Sequence, residues 1–142
     1  MAVTNHGRVG KALALLTEGL APFVERECKA KYGDKWVQSV ARMDPAAQSG
    51  KKVSATDAQF LLKVVWDEWQ PVFRTVLGQT ERTYVSELRG VRNRWAHQDA
   101  FSGDDAYRAL DSIHRLLLAV SAADEAVEID RMRQDLLRSR FA

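Results

Sequence analysis

Apolar residues recur three and four positions apart along nearly the whole chain, and nowhere do they alternate over the length of a strand. That period puts one apolar stripe on each of a series of helices and leaves a sheet no face to build on, so the chain reads as all-α. Five or six helices are expected, joined by short connections that imply a mostly antiparallel bundle. The first runs from Thr4 to Lys31 with Val9, Leu13, Leu16, Leu20 and Phe23 on its stripe, and Pro22 should kink or interrupt it. A short one follows from Asp34 to Met43, with Asp34 as N-cap. Residues 44–55, with Pro45, Gly50 and the Lys51-Lys52 pair, carry no periodicity and read as a mobile loop. A third helix, from Thr56 through Leu61, Leu62, Val65, Trp66, Trp69, Val72, Phe73 and Val76, has an apolar arc wide enough for the centre of the bundle and should bend at Pro71. Gly78 ends it, and Thr80 is expected to cap the next helix, which reaches His97. Ser102, with Asp105 three residues on, opens a helix that turns Tyr107, Leu110, Ile113, Leu117 and Val120 inward. The last segment, Asp124 to Arg140, has a thin stripe of Val127, Met132, Leu136 and Leu137.

The 142 residues, 46% hydrophobic, suit one domain with a real core. A net charge of +2 neither demands nucleic acid nor argues against it, so a basic site must be local. Fourteen Arg against seven Lys favour the side chain that grips phosphate with two parallel hydrogen bonds. A single cysteine, Cys28, allows no intrachain disulfide and no thiolate zinc site, which fits a cytoplasmic compartment. The short apolar patch from Ala12 to Leu16 is closed off by Thr17 and Glu18 and lacks the positive run and small-residue cleavage pattern of a leader, and no stretch approaches the ~20 apolar residues of a membrane span. Neither a metal nor a cofactor is expected, and Gly7 to Lys11 lacks the spacing of a phosphate loop.

The helix over residues 82–97 carries the chemistry. At ~100° per residue, Tyr84, Leu88, Val91 and Trp95 share a core face, while Arg82, Ser86, Arg89, Asn93 and His97 form a polar strip on the other side. Gly90 lies at the edge of the strip, where a helix interior makes glycine cost ~1 kcal/mol relative to alanine. A second helix approaching there would explain it. Arg92 sits on the flank, ~140° from His97 on an ideal helix, so the two would have to converge at a fraying C-terminus. A histidine in that position faces the negative end of the helix dipole, which suits proton donation or anion contact.

Arg92-Asn93-Arg94-Trp95-Ala96-His97 resembles the Arg-x-x-x-x-His signature of the HEPN superfamily. The resemblance extends to Leu88-Arg89-Gly90-Val91, to Trp66-Asp67-Glu68-Trp69 and to Gly19-Leu20-Ala21-Pro22-Phe23-Val24, which look like HEPN modules at the N-termini of large bacterial ATPases and helicase-like proteins. These segments are also similar to the HEPN domain attached to a eukaryotic nuclear RNA-surveillance endonuclease. The resemblance implies a helical bundle that dimerises through the motif helices and acts as a metal-independent endoribonuclease. It makes His97 the acid-base group, Arg92 the stabiliser of charge on the scissile phosphate and Asn93 an orienting residue. Such chemistry needs no metal, because RNA brings its own nucleophile in the 2′-hydroxyl, and products would end in 2′,3′-cyclic phosphate. The partners implied are RNA, a second copy, and an ATPase or helicase-like domain in the same or a neighbouring chain, or an antitoxin, within a defence or toxin-like system. The alternative is a non-catalytic dimerisation or assembly module of a larger ATPase system, and 142 residues would suit the N-terminal module of a longer protein.

Other polar residues have simpler readings. Arg82 and Arg89 are RNA contacts, interface residues or solvated arginines; His114 caps the core; His6 has no chemical role; Trp66 and Trp69 are packing ballast.

Overall fold

The computed structural model describes residues 3–41 and 57–141. Helix α1 spans Asn5–Tyr32, α2 Trp36–Ala41, α3 Ala58–Asp67, α4 Gln79–Ala96, α5 Gly103–Ala119 and α6 Ala123–Phe141, with a 3₁₀ turn at Phe73–Thr75 between α3 and α4. No strand is present among the described residues, and the architecture is the all-α bundle that the periodicity implies. Residues 42–56, including the expected loop and the end of the second helix, lie outside the described residues.

α1 buries the whole expected stripe, Val9, Leu13, Leu16, Leu20 and Phe23, together with Val24 and Cys28. The Thr4 hydroxyl caps it by accepting from the Gly7 amide, and Gly33, at φ 82°, closes it. Pro22 does not interrupt the helix. It faces solvent, as does Glu18, whose carbonyl loses its partner, while buried Leu20, Phe23 and Val24 hold the turn in place. Gly33 and the turn it makes, rather than an Asp34 cap, lead into α2, where Trp36 donates to the Gly33 carbonyl at 3.1 Å.

α3 is shorter than the apolar arc suggests. It begins at the Asp57 cap and stops at Asp67, because Pro71 cannot donate to the Asp67 carbonyl and crowds it. Beyond it, the Phe73 amide bonds Glu68 at 3.3 Å and the Arg74 amide bonds Trp69 at 2.9 Å, a widened turn that still buries Trp69, Val72 and Phe73 but leaves Val76 exposed. The centre of the bundle is therefore α1, which packs against each of the other five described helices. α4 is capped by Gly78, without a side-chain bond, and Thr80 lies inside its first turn. α5 begins as expected, the Ser102 hydroxyl accepting from the Asp105 amide at 3.0 Å. α6 buries Ala126, Ile129, Met132 and Leu136, and Val127 faces solvent.

Beneath these helices, Tyr32 donates to the buried carboxylate of Glu68. That bond, with burial, pushes the Tyr32 phenol up to about 12. No described helix is long and apolar enough to cross a membrane.

Candidate nucleic-acid interface

Glu81, Glu87 and a run of unbranched side chains favour α4, and Glu81 in its first turn and Arg94 in its last complement the dipole. Its buried residues are Val85 and Leu88, while Tyr84, Val91 and Trp95 are only half-buried, so the core face is narrower than the spacing suggests.

The C-terminus of α4 does not fray. Gln98 adopts φ 61°, its amide bonds the Trp95 carbonyl at 3.1 Å, and the Asp99 amide bonds Arg94 at 3.0 Å. This pair of bonds is a Schellman closure with glutamine in the left-handed position usually held by glycine. Two side chains reinforce it. Arg94 donates to the Ala100 carbonyl at 2.9 Å and to Asp105 at 3.3 Å, with its guanidinium 4.6 Å from the Phe101 ring centroid. That bond holds the Asp105 carboxyl below its ordinary range. His6, from the start of α1, stacks on the Trp95 ring at 5.5 Å and 12°, and its Nε2 lies 3.0 Å from the Trp95 carbonyl oxygen, which can only accept. His6 thus anchors the motif helix, a role with no signal in the sequence because the contact spans 89 residues.

His97 is the C-cap, with φ −87° and ψ 7°, and its amide bonds the Asn93 carbonyl at 3.0 Å. It therefore continues the strip one turn past Asn93, with its side chain exposed. The helix end is closed and does not fray, so the backbone itself does not carry His97 toward Arg92.

The cations of α4 separate into two kinds. Arg94 is occupied as described. Arg82 lies over Trp66 at 4.1 Å and Trp69 at 5.5 Å, with its Nε buried and unbonded among the described residues, so it belongs to packing more than to a free surface. Arg89 and Arg92, in contrast, have no ion pair or hydrogen bond among the described residues. With Asn93 they line a small recess of about 50 Å³ whose opposite wall is Gln59 and Lys63 of α3. Lys63 is shared with Asp67 one turn on. Two unpaired guanidiniums, a lysine shared with Asp67 and two amides thus surround one recess, and each guanidinium can offer two donors to the oxygens of an anion.

Gln59 and Lys63 were not legible as site residues, because their neighbours in the recess come from another helix. Their one sequence signal is a four-residue polar spacing on the side of α3 away from Leu61, Leu62 and Val65. Ser86 is exposed beside Arg82, along a groove also lined by Glu87 and Arg108. Gly90 is exposed, and a Cβ there would meet nothing within 4 Å, so no close approach within the described chain explains it. Asn93 makes no side-chain hydrogen bond to Arg92 or His97. Among the described residues no group of three or more His, Cys, Asp or Glu side chains gathers to hold a metal.

No curated protein and no solved structure matches the chain. The Swt1-like HEPN family model matches residues 11–121, which take in most of α1, the whole motif helix and α5. The chain belongs to the Swt1-like HEPN family.

Proposed function

We propose that this chain is an RNA-directed HEPN module that acts as a metal-independent endoribonuclease when two copies associate through α4. The observation that carries the proposal is the recess of Lys63, Arg89, Arg92 and Asn93, with both guanidiniums unpaired among the described residues, one turn below an exposed His97. Two unpaired guanidiniums and an exposed imidazole on one helix fit a substrate that carries phosphate next to its own nucleophile.

In this scheme the 2′-hydroxyl attacks the adjacent phosphorus, a histidine removes its proton, and the 5′-oxygen leaves with a proton from an acid. Arg92 neutralises charge building on the phosphorane oxygens, and Arg89 and Lys63 hold phosphate on the recess side. Five positions apart, Arg92 and His97 lie ~140° from each other on an ideal helix, and in this reading a second copy brings the missing partner into each cleft. The two copies of His97 then supply base and acid. Asn93 acts at the border between recess and strip. A defence or toxin-like setting, with an ATPase or helicase-like domain or an antitoxin as partner, belongs to the same proposal.

Incubating single-stranded RNA with wild type, Arg92→Ala and His97→Ala in EDTA tests it. Cleavage by wild type alone, with all three proteins equally helical, is the expected result. Wild type that leaves a panel of RNAs intact at high concentration removes the enzyme.

Gly90 favours a second reading, a non-catalytic dimerisation or assembly module, since an exposed glycine with open space over it suits a helix-to-helix contact with another chain. On that reading Gly90→Leu disperses the dimer on a sizing column, and His97→Ala changes nothing.

A further inference from the structure

Arg92 borders a second cleft on the other side from the recess, lined by Gly10, Ala14 and Thr17 of α1, by Asp57 at the start of α3 and by Trp95. This groove has a volume of about 300 Å³, at the lower end of the ~300–1,000 Å³ range of small-ligand clefts. Its floor is low because Gly10 and Ala14 offer little or no side chain. The Trp95 indole packs so closely on Gly10 that a Cβ there would lie 2.6 Å from Nε1, and His6 pins the other part of the ring system by stacking. A rigid aromatic wall beside an apolar floor suits a planar ring.

Apart from Arg92, whose guanidinium is engaged by the phosphate of the recess, the polar groups away from the indole can only accept. Thr17 donates its hydroxyl proton to the Leu13 carbonyl at 3.0 Å, which leaves its lone pairs outward. Asp57 uses Oδ1 to cap α3 by accepting from the Gln59 amide at 3.0 Å, which leaves Oδ2. Adenine, cytosine and guanine each present an exocyclic amine to such acceptors, whereas uracil presents carbonyl oxygens in its place and keeps only its ring N3–H as a donor.

We infer that this groove is a base subsite: it holds the base of the nucleotide whose phosphate occupies the Lys63/Arg89/Arg92 recess, and it selects bases bearing an exocyclic amine over uracil. Arg92 is the shared wall, so a ligand filling both spaces must carry an anion and a ring within the reach of one side chain, as a nucleotide does. The inference rests on the RNA-directed proposal above and adds the residues that set its base preference.

Fluorescence anisotropy with labelled 2′-O-methyl octamers, which cannot be cleaved, separates the two ideas. Wild-type protein should bind the A and C octamers about tenfold more tightly than the U octamer or an abasic octamer. Ala14→Leu, on an exposed helix position, should reduce all base-bearing octamers to the abasic level and leave abasic binding unchanged. Asp57→Asn keeps the helix cap and should shrink the preference over U to about threefold or less. Equal binding of all octamers that is lost in Arg89→Ala overturns the base subsite and leaves RNA binding standing; no binding of any octamer overturns both. Dispersal of a wild-type dimer by Ala14→Leu on a sizing column shows a second copy in the groove and overturns the subsite.

Discussion

Two glycines inside helices should respond in opposite ways to the same substitution. At Gly90 an added Cβ meets nothing within 4 Å, so Gly90→Ala keeps only the relief of backbone entropy, about 0.5–1 kcal/mol of stabilisation. At Gly19, on the buried side of α1, the Cβ would lie 2.5 Å from Leu117 Cδ2 and 2.8 Å from Ala122 Cβ. Leu117 can change rotamer, but the Ala122 methyl moves only with its backbone, so α1 must shift from the α5–α6 turn. Overpacking of that kind costs about 1–3 kcal/mol, against which the gain of about 1 kcal/mol in helix propensity leaves a net loss of up to about 2 kcal/mol. Urea unfolding at several protein concentrations measures both. For a chain of this length each kcal/mol moves Tm by roughly 3–5 °C, so thermal melts resolve the signs as well. If α4 also forms a dimer seam, Gly90→Ala loses stability only as concentration rises and the dimer forms. A loss in Gly90→Ala at every concentration would refute the open space at Gly90, and a stabilised Gly19→Ala would refute the tight α1–α5–α6 contact.

Gln98→Gly should stabilise the protein by about 1 kcal/mol, read by urea unfolding, since it relieves the left-handed backbone after His97. Tyr32→Phe should cost about 1–3 kcal/mol in the same assay, because buried Glu68 loses its donor. The Cys28 thiol, pushed up to about 12 chiefly by burial and secondarily by Glu68, should resist thiol reagents at pH 8 until the protein is unfolded by urea. Burial first, then Arg133, holds the His114 imidazole below its ordinary value, so the unfolded chain takes up the proton more readily. Its contribution to stability is present above the unfolded value of ~6.5 and is lost as pH falls below it. Unfolding of wild type and His114→Gln from pH 7.5 to 5 should show a steeper acid loss in wild type.

Periodicity located what is local. The α1 stripe and the Ser102 cap are set by residues within a few positions of each other, and both stand where the spacing puts them. Elements decided by competition between neighbours were less legible. Pro71 and the apolar run over 69–73 pull in opposite directions, and the compromise is a short α3 followed by a widened turn and a 3₁₀ turn that keeps the same side chains buried. On α6, Val127 and Ile129 are both apolar, and the packing of α5 and α1 against that helix decides that Ile129 goes in. The candidate site divides the same way. Arg92, Asn93 and His97 follow from one hexapeptide, but the occupied state of Arg82 and Arg94 depends on Trp66, Phe101 and Ala100, and the recess depends on Lys63 from another helix.

The ends of RNA fragments formed in EDTA test the central proposal most directly. Mass spectrometry of single-stranded RNA incubated with wild-type protein should find 2′,3′-cyclic phosphate and 5′-hydroxyl ends, and none with His97→Ala. Fragments ending in 3′-hydroxyl and 5′-phosphate, or fragments made equally by His97→Ala, would contradict it.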